Sequence, residues 1–209
     1  MKKILFDLDG TLTDSGEGIM HCAELTLEHY GLPVPSRAEM RSMVGPPLRD
    51  SFRRYGVAEE ELDNATAYYR KHYLAVGQFE NFPYPGIFEL LQRLQAEGNL
   101  LYVATSKPEA MAKDILRHFQ LDKYFTIICG AASDGHRNTK EAVIEYLLEQ
   151  LPSRNDLVMV GDTIYDVMGA AHHAIPCVAV TWGYGVAEDM RQAGALLAHT
   201  MDELYQALQ

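Results

Sequence analysis

Ile4-Leu5-Phe6-Asp7-Leu8-Asp9-Gly10-Thr11-Leu12-Thr13-Asp14 is the stretch whose reading decides the fold. A short apolar run reads as a buried strand, and this one stops at two carboxylates followed by a glycine turn. The acids therefore stand at a sheet edge rather than inside a core. In open α/β sheets, ligands bind beyond the carboxyl ends of the strands. Two carboxylates about 4 Å apart repel by roughly 4 kcal/mol at an effective dielectric near 20. Such a placement asks for a cation, a proton or a reaction.

Working outward, four more runs read as buried parallel strands: Leu100–Ala104, Phe125–Ile128, Leu157–Val160 and Pro176–Val180. Helical patterns over Ile87–Glu97, Glu109–Phe119, Lys140–Gln150 and Asp166–His173 separate most of them, and that alternation predicts a parallel sheet. The stretch from Ser15 to Asn81 breaks the rhythm. It carries no strand pattern, only helical ones over Gly18–Tyr30, Arg37–Met43, Pro47–Tyr55 and Glu59–Gly77, punctuated by Gly31-Leu32-Pro33, Gly45-Pro46-Pro47 and Gly56. Phe82-Pro83-Tyr84-Pro85-Gly86 reads as the return linker. The expectation is an α/β fold: a Rossmann-like parallel sheet core (1–14 and 82–209) with helices on both faces, and an inserted α-helical cap subdomain (15–81) over the carboxyl edge of the sheet.

The 209 residues suffice for a core without a metal or disulfide staple. A net charge of −11 argues against nucleic-acid or anionic-membrane partners. Cys22, Cys129 and Cys177 form neither a CxxC nor a zinc spacing and read as small buried fillers. A reducing cytoplasm suits them. Lys2-Lys3 precedes an apolar run too short for a signal peptide or a membrane span. No amphipathic repeat points to a protein partner, so a monomer or weak homo-oligomer is expected.

The polar ends of the apolar runs carry the chemistry. Ile4–Phe6 ends in Asp7, Leu100–Ala104 in Thr105-Ser106-Lys107, and Leu157–Val160 in Gly161-Asp162 with Asp166 four residues on. If these strands are neighbours, four acids, two hydroxyls and a lysine converge. So many oxygen ligands favour a hard cation, Mg2+.

These residues resemble the haloacid dehalogenase-like hydrolase superfamily, in particular its phosphoglycolate phosphatase-like branch. The resemblance spans nearly the whole chain and rests, in order, on Asp7-x-Asp9-Gly10-Thr11-Leu12-x-Asp14-Ser15, Thr105-Ser106, Lys140, and Gly161-Asp162-x-x-x-Asp166. It implies that Asp7 is the nucleophile, forming an aspartyl-phosphate, and that Asp9 is the acid/base. It implies that Thr105 and Ser106 bind the phosphoryl group and that Lys140 neutralises charge on Asp7 and the phosphate. Mg2+ would be held by Asp7, the Asp9 carbonyl, Asp162 and Asp166. The expected activity is hydrolysis of a small phosphorylated metabolite. Alternatives are a phosphomutase, a nucleotidase or a pyrophosphatase of the same superfamily, and a non-enzymatic phosphate-binding protein.

Where many relatives follow the lysine with a Pro-x-Pro turn, this chain has Glu141-Ala142-Val143-Ile144, and the preceding segment Ser133–Thr139 offers Arg137 as a rival cation. Arg49, in Val44-Gly45-Pro46-Pro47-Leu48-Arg49, reads either as a contact for a substrate carboxylate or second phosphate or as a solvated turn residue. Lys107 reads as solvated, with a contribution to the positive field of that loop as the alternative. Adjacent histidines on a helix point apart, so His172-His173 is not a metal pair. Trp182-Gly183-Tyr184-Gly185 reads as a packed loop near the site, with an aromatic wall for substrate as the alternative.

Overall fold

Side chains along the strands point alternately into two separate cores, and this period-two pattern builds a three-layer unit. In this computed structural model, which describes residues 1–132 and 135–209, the chain forms two compact units: Met1–Thr13 with Pro83–Gln209, and Asp14–Phe82. The first unit holds β1 (Lys3–Phe6). After the short strands β2 (Thr13–Asp14) and β3 (Phe82–Pro83), which mark where the chain leaves and re-enters it, come β4 (Leu100–Pro108), β5 (Ile127–Ala131), β6 (Leu157–Gly161), β7 (Cys177–Val180) and β8 (Leu196–Ala198). Six strands form one parallel sheet in the order β5-β4-β1-β6-β7-β8.

Ile4, Phe6, Leu101, Val103, Val158, Val160, Val178 and Val180 face one core, which is closed by α5 (Ile87–Ala96), α6 (Glu109–His118) and α10 (Met201–Ala207). The intervening Leu5, Tyr102, Ala104, Leu157, Met159, Cys177 and Ala179 face the other, closed by α7 (Lys140–Leu148), α8 (Ile164–His172) and α9 (Ala187–Gln192). The doubly covered parallel sheet matches the expectation. β5 begins two residues later than its pattern suggested, because Asp122–Tyr124 forms a 3-10 turn and Phe125 caps it. The edge strand β8 and the helices α9 and α10 had no counterpart in the sequence reading.

The second unit is helical: α1 (Gly16–His29), α2 (Arg37–Met40), α3 (Leu48–Arg54) and α4 (Leu62–Ala75), with 3-10 turns at Arg41–Met43, Glu59–Glu61 and Gly77–Phe79. Leu27, Met40, Met43, Phe52, Leu62 and Tyr69 are among its buried residues. Ser36 and Glu39 form a capping box on α2, which sets where that helix starts.

Among the described residues no helix is long and apolar enough to cross a membrane.

Candidate active site

β1 lies between β4 and β6, with Phe6 paired to Val103 and Val160. The next residue, Asp7, therefore emerges at the carboxyl end of the sheet beside the ends of both neighbours. Its N–H still donates to the Val160 carbonyl at 2.9 Å, extending the ladder by one bond. The chain then turns sharply: the Leu12 and Thr13 amides donate back to the Leu8 carbonyl, and Gly10 adopts φ +80°. A side chain at position 10 would meet more than backbone strain. Its Cβ would lie 2.1 Å from Asp162 Oδ2.

Asp162 follows β6 and is fully buried. The Thr11 hydroxyl donates to its Oδ1 at 3.0 Å, and the Tyr184 amide donates to its Oδ2 at 2.9 Å. A Cβ on Gly183 would sit 2.3 Å from Oδ2 as well. Asp166, also fully buried, stands in the first turn of α8. Its Oδ2 accepts from the Thr163 amide (2.9 Å) and hydroxyl (2.8 Å), so it caps the helix while its Oδ1 faces Lys140.

Lys140 is the first residue of α7, a position where the helix dipole disfavours a cation. Its buried ammonium lies 2.9 Å from Asp7 Oδ1 and 2.7 Å from Asp166 Oδ1, and donates to the Ala104 carbonyl at 3.0 Å. The Ala104 carbonyl takes a hydrogen bond from it, and the two carboxylates hold it as ion pairs. Arg137 is engaged elsewhere: it donates to the Gly130 carbonyl at 2.9 Å, pairs with Glu109 at 3.0 Å and stacks on the Tyr146 ring. Ser133 and Asp134 of that segment lie outside the described residues.

Carboxylate oxygens of Asp7, Asp162 and Asp166 all fall within 4.8 Å of one another. Burial, with Asp166 adding to it and Lys140 opposing, pushes Asp7 up to about 6. Burial and then the charges of Asp166 and Asp7 raise Asp162 well above the carboxylate range. Burial works against the charged form of Lys140, but Asp166 and Asp7 outweigh it and hold the group above its ordinary value. Three buried acids against one ammonium leave negative charge uncompensated. An all-oxygen donor set of this kind fits a hard divalent cation.

Thr105 is buried, its hydroxyl accepts from the Lys107 amide at 3.2 Å and works to lower the Asp7 pKa; Ser106 is exposed. The solvated reading of Lys107 is wrong. The residue is buried and its ammonium donates to both Asp9 oxygens, at 2.9 and 2.8 Å. The Asp9 side chain thus turns to Lys107 and stands apart from the three-acid cluster. Arg49 belongs to the second unit, where its guanidinium pairs with Asp63 and with Glu59. His173 bonds the Glu141 carbonyl at 2.9 Å and faces Glu145 at 3.2 Å, a structural use.

The sequence reading set the Trp182–Gly185 loop near the site and Thr11 in the first motif, but gave neither a contact to Asp162. The two glycines after the last long strand were the available signal. Besides Gly183 beside the carboxylate, Gly185 donates its amide to the Asp162 carbonyl at 3.1 Å, where a Cβ would approach to 2.1 Å.

Residues 4–180 match the family model of haloacid dehalogenase-like hydrolases. The chain is 44% identical over 209 residues to tyrosine-protein kinase PtkA of Mycobacterium tuberculosis, covering 98% of this chain and 72% of the relative. It is 41% identical over 191 residues to a 5'-nucleotidase of Pseudomonas aeruginosa, covering 90% and 86%. A crystal structure described as a predicted phosphatase from Clostridium acetobutylicum superposes with a TM-score of 0.93 at 43% identity, covering 99% of this chain and 97% of the other.

Proposed function

The chain belongs to the haloacid dehalogenase-like hydrolases, and on that premise we propose that it is a Mg2+-dependent phosphatase hydrolysing a small-molecule phosphomonoester through an aspartyl-phosphate on Asp7. The observation that carries this reading is the Lys140 ammonium set between Asp7 and Asp166 beside the buried Asp162.

Asp7, Asp162, Asp166 and the Asp9 carbonyl would hold the cation. When bound, it offsets the charge of a phosphate dianion approaching a carboxylate. An Asp7 oxygen attacks phosphorus; the bond to the leaving oxygen breaks, and Asp9 delivers a proton to that oxygen. The Asp9 carboxylate so formed then takes a proton from the water that attacks the aspartyl-phosphate, which frees inorganic phosphate and restores Asp7. Thr105 and Ser106 orient the phosphoryl oxygens, and Lys140 carries charge that builds on them and on Asp7. Phosphate release from a metabolite panel, with and without Mg2+, tests the reading. Nucleoside 5'-monophosphates, phosphoglycolate, sugar phosphates and pyrophosphate belong in it. Mg2+-dependent release that Asp7→Asn abolishes is expected; no release from any of them sinks the proposal.

Arg49 is proposed as a contact for a second anionic group on the substrate, reached by exchanging Glu59 and Asp63 for it. Arg49→Ala should raise KM for doubly anionic substrates and leave kcat nearly unchanged. A KM equal to that of the parent protein would leave Arg49 as a surface ion pair.

A second reading is favoured by the 44% identity to a protein named as a tyrosine kinase: transfer of the phosphoryl group to a tyrosine hydroxyl instead of water. Incubation with labelled ATP and a tyrosine-bearing polypeptide separates the two. Alkali-stable label on tyrosine supports transfer, and label found in inorganic phosphate alone excludes it.

A further inference from the structure

We propose that Lys107 is a positioning residue that holds the Asp9 carboxylate in line with the leaving oxygen; this rests on the acid/base reading of Asp9. One ammonium reaches both oxygens, at 2.9 and 2.8 Å, so rotation of the carboxylate plane breaks at least one contact. The Lys107 side chain is only 5% exposed and that of Asp9 21%, so water competes weakly for the pair. When Asp9 carries its proton, the unprotonated oxygen still accepts from the ammonium and the O–H is left to face the leaving oxygen. Once the proton is gone both oxygens accept, and this carboxylate receives the proton of the attacking water in the second step.

The backbone is built to present this lysine. Ala104 pairs with Cys129 and Pro108 with Ala131, so β4 spends three residues where β5 spends one, Gly130. Irregular ladders of this kind re-aim side chains near active sites. The Lys107 amide donates to the Thr105 hydroxyl at 3.2 Å, which couples the phosphate-facing threonine to the lysine two residues on. The bulged backbone also lies hard against β5: a Cβ on Gly130 would stand 2.5 Å from the Lys107 carbonyl oxygen. A buried ion pair is weak evidence for stability, because desolvation offsets most of the attraction. A lysine enclosed here therefore calls for a reason beyond holding the fold. Two buried lysines serve different acids here: Lys140 meets Asp7 and Asp166, Lys107 meets Asp9.

If Lys107 aims the proton donor, its loss should hurt substrates in proportion to how much their leaving group needs a proton. An alkoxide must be protonated as it departs, whereas 4-nitrophenolate leaves unaided. The quantity to compare is kcat/KM for the best alkyl phosphate of the panel and for 4-nitrophenyl phosphate, because it covers only the steps up to aspartyl-phosphate formation. Taking both values on one preparation makes their ratio independent of the folded fraction. General acid catalysis contributes about 10²- to 10⁴-fold. Lys107→Met is therefore expected to lower the alkyl value by about 10²-fold and the aryl value by less than about threefold. Lys107→Arg, which keeps the charge and two donors, should recover most of the ratio.

Equal losses on both substrates, an unchanged ratio, or a Lys107→Arg ratio no better than that of Lys107→Met would overturn the proposal. Asp9→Asn, measured beside them, separates the two levels of argument. If it shows the selective loss and Lys107→Met does not, the positioning role fails alone. If Asp9→Asn itself shows none, the acid/base reading fails and takes this proposal with it.

Discussion

The Lys140 ammonium stands 2.9 Å from Asp7 Oδ1, both groups buried at the carboxyl end of the central strand. The same nitrogen reaches Asp166 and the Ala104 carbonyl, so it joins the end of β1 and the middle of β4 to helix α8. Asp7 thereby has a cation in direct contact and two further acids within 4.8 Å. That asymmetry suits a nucleophile which must approach an anion.

Removing Lys140 should damage both turnover and stability. Breaking a buried ion pair by deleting one partner costs about 3–5 kcal/mol, and three carboxylates would be left facing one another. Losing a fixed charge at a transition state typically lowers kcat by about 10²- to 10³-fold. Lys140→Met is expected to show both effects, read by urea unfolding and by kcat at saturating substrate. Arg137→Met, which loses its contacts to Gly130, Glu109 and Tyr146, should stay within about threefold of the parent kcat. The reverse ranking would make Arg137 the catalytic cation.

The glycines around Asp162 should govern cation affinity more than folding. Gly183→Ala would thrust a methyl to 2.3 Å from Asp162 Oδ2, and the carboxylate must swing away from Thr11 and the Tyr184 amide. Disturbing groups that orient a ligand typically weakens binding by about 10- to 100-fold. Calorimetric titration with Mg2+ measures it directly. An unchanged dissociation constant in a folded Gly183→Ala protein would remove Asp162 from the ligand set.

Much of this arrangement was legible because it is local. An apolar run that stops at an acid marks a strand end, and three such runs brought Asp7, Thr105 and Asp162 together on paper. What stayed hidden depends on long-range contacts. Thr11 supports Asp162, 151 positions away. Lys107 has its acid 98 positions upstream, and a lysine in a hydroxyl-rich loop carries no local sign that it will be enclosed. The short strand Leu196–Ala198 has an exposed first residue and no run long enough to show alternation. At β5, Phe125 and Thr126 have strand-forming side chains, but the preceding 3-10 turn uses Phe125 as its end.

Cation binding should stabilise the protein more at neutral than at acidic pH. Asp7 sits at about 6 in the folded protein against 3.8 for the free group, and Asp162 is raised in the same direction. Between those two values for Asp7 the cation-free folded state binds more protons than the unfolded chain, so its stability falls as pH rises through that window. Mg2+ binds the ionised acids and competes with those protons. At a hundred times its dissociation constant a ligand adds about 2.7 kcal/mol, which at about 2–4 °C per kcal/mol for a chain this long is roughly 5–10 °C in Tm. Thermal unfolding should show that shift near about pH 7.5 and a much smaller one near about pH 5, below the raised value of Asp7. Equal shifts at both would place the binding acids outside this cluster.

All three thiols should be inert in the folded protein. Burial first, with Glu80 adding to it, pushes Cys22 up to about 11; burial also pushes Cys129 to about 11. Cys177 is held higher still by burial and the charge of Asp166. The thiolate is the reactive form, and a thiol at pKa about 11 is roughly 0.1% ionised near about pH 8, against about a quarter for an unperturbed one. Each sulfur is also enclosed in a core, so a bulky reagent needs local unfolding to reach it. A chromogenic disulfide reagent is expected to find three thiols at once in denaturant and none at a comparable rate beforehand. One thiol titrating at the free rate in the native protein would mean that its core opens without global unfolding; repeating the measurement with each cysteine replaced by alanine would show which one.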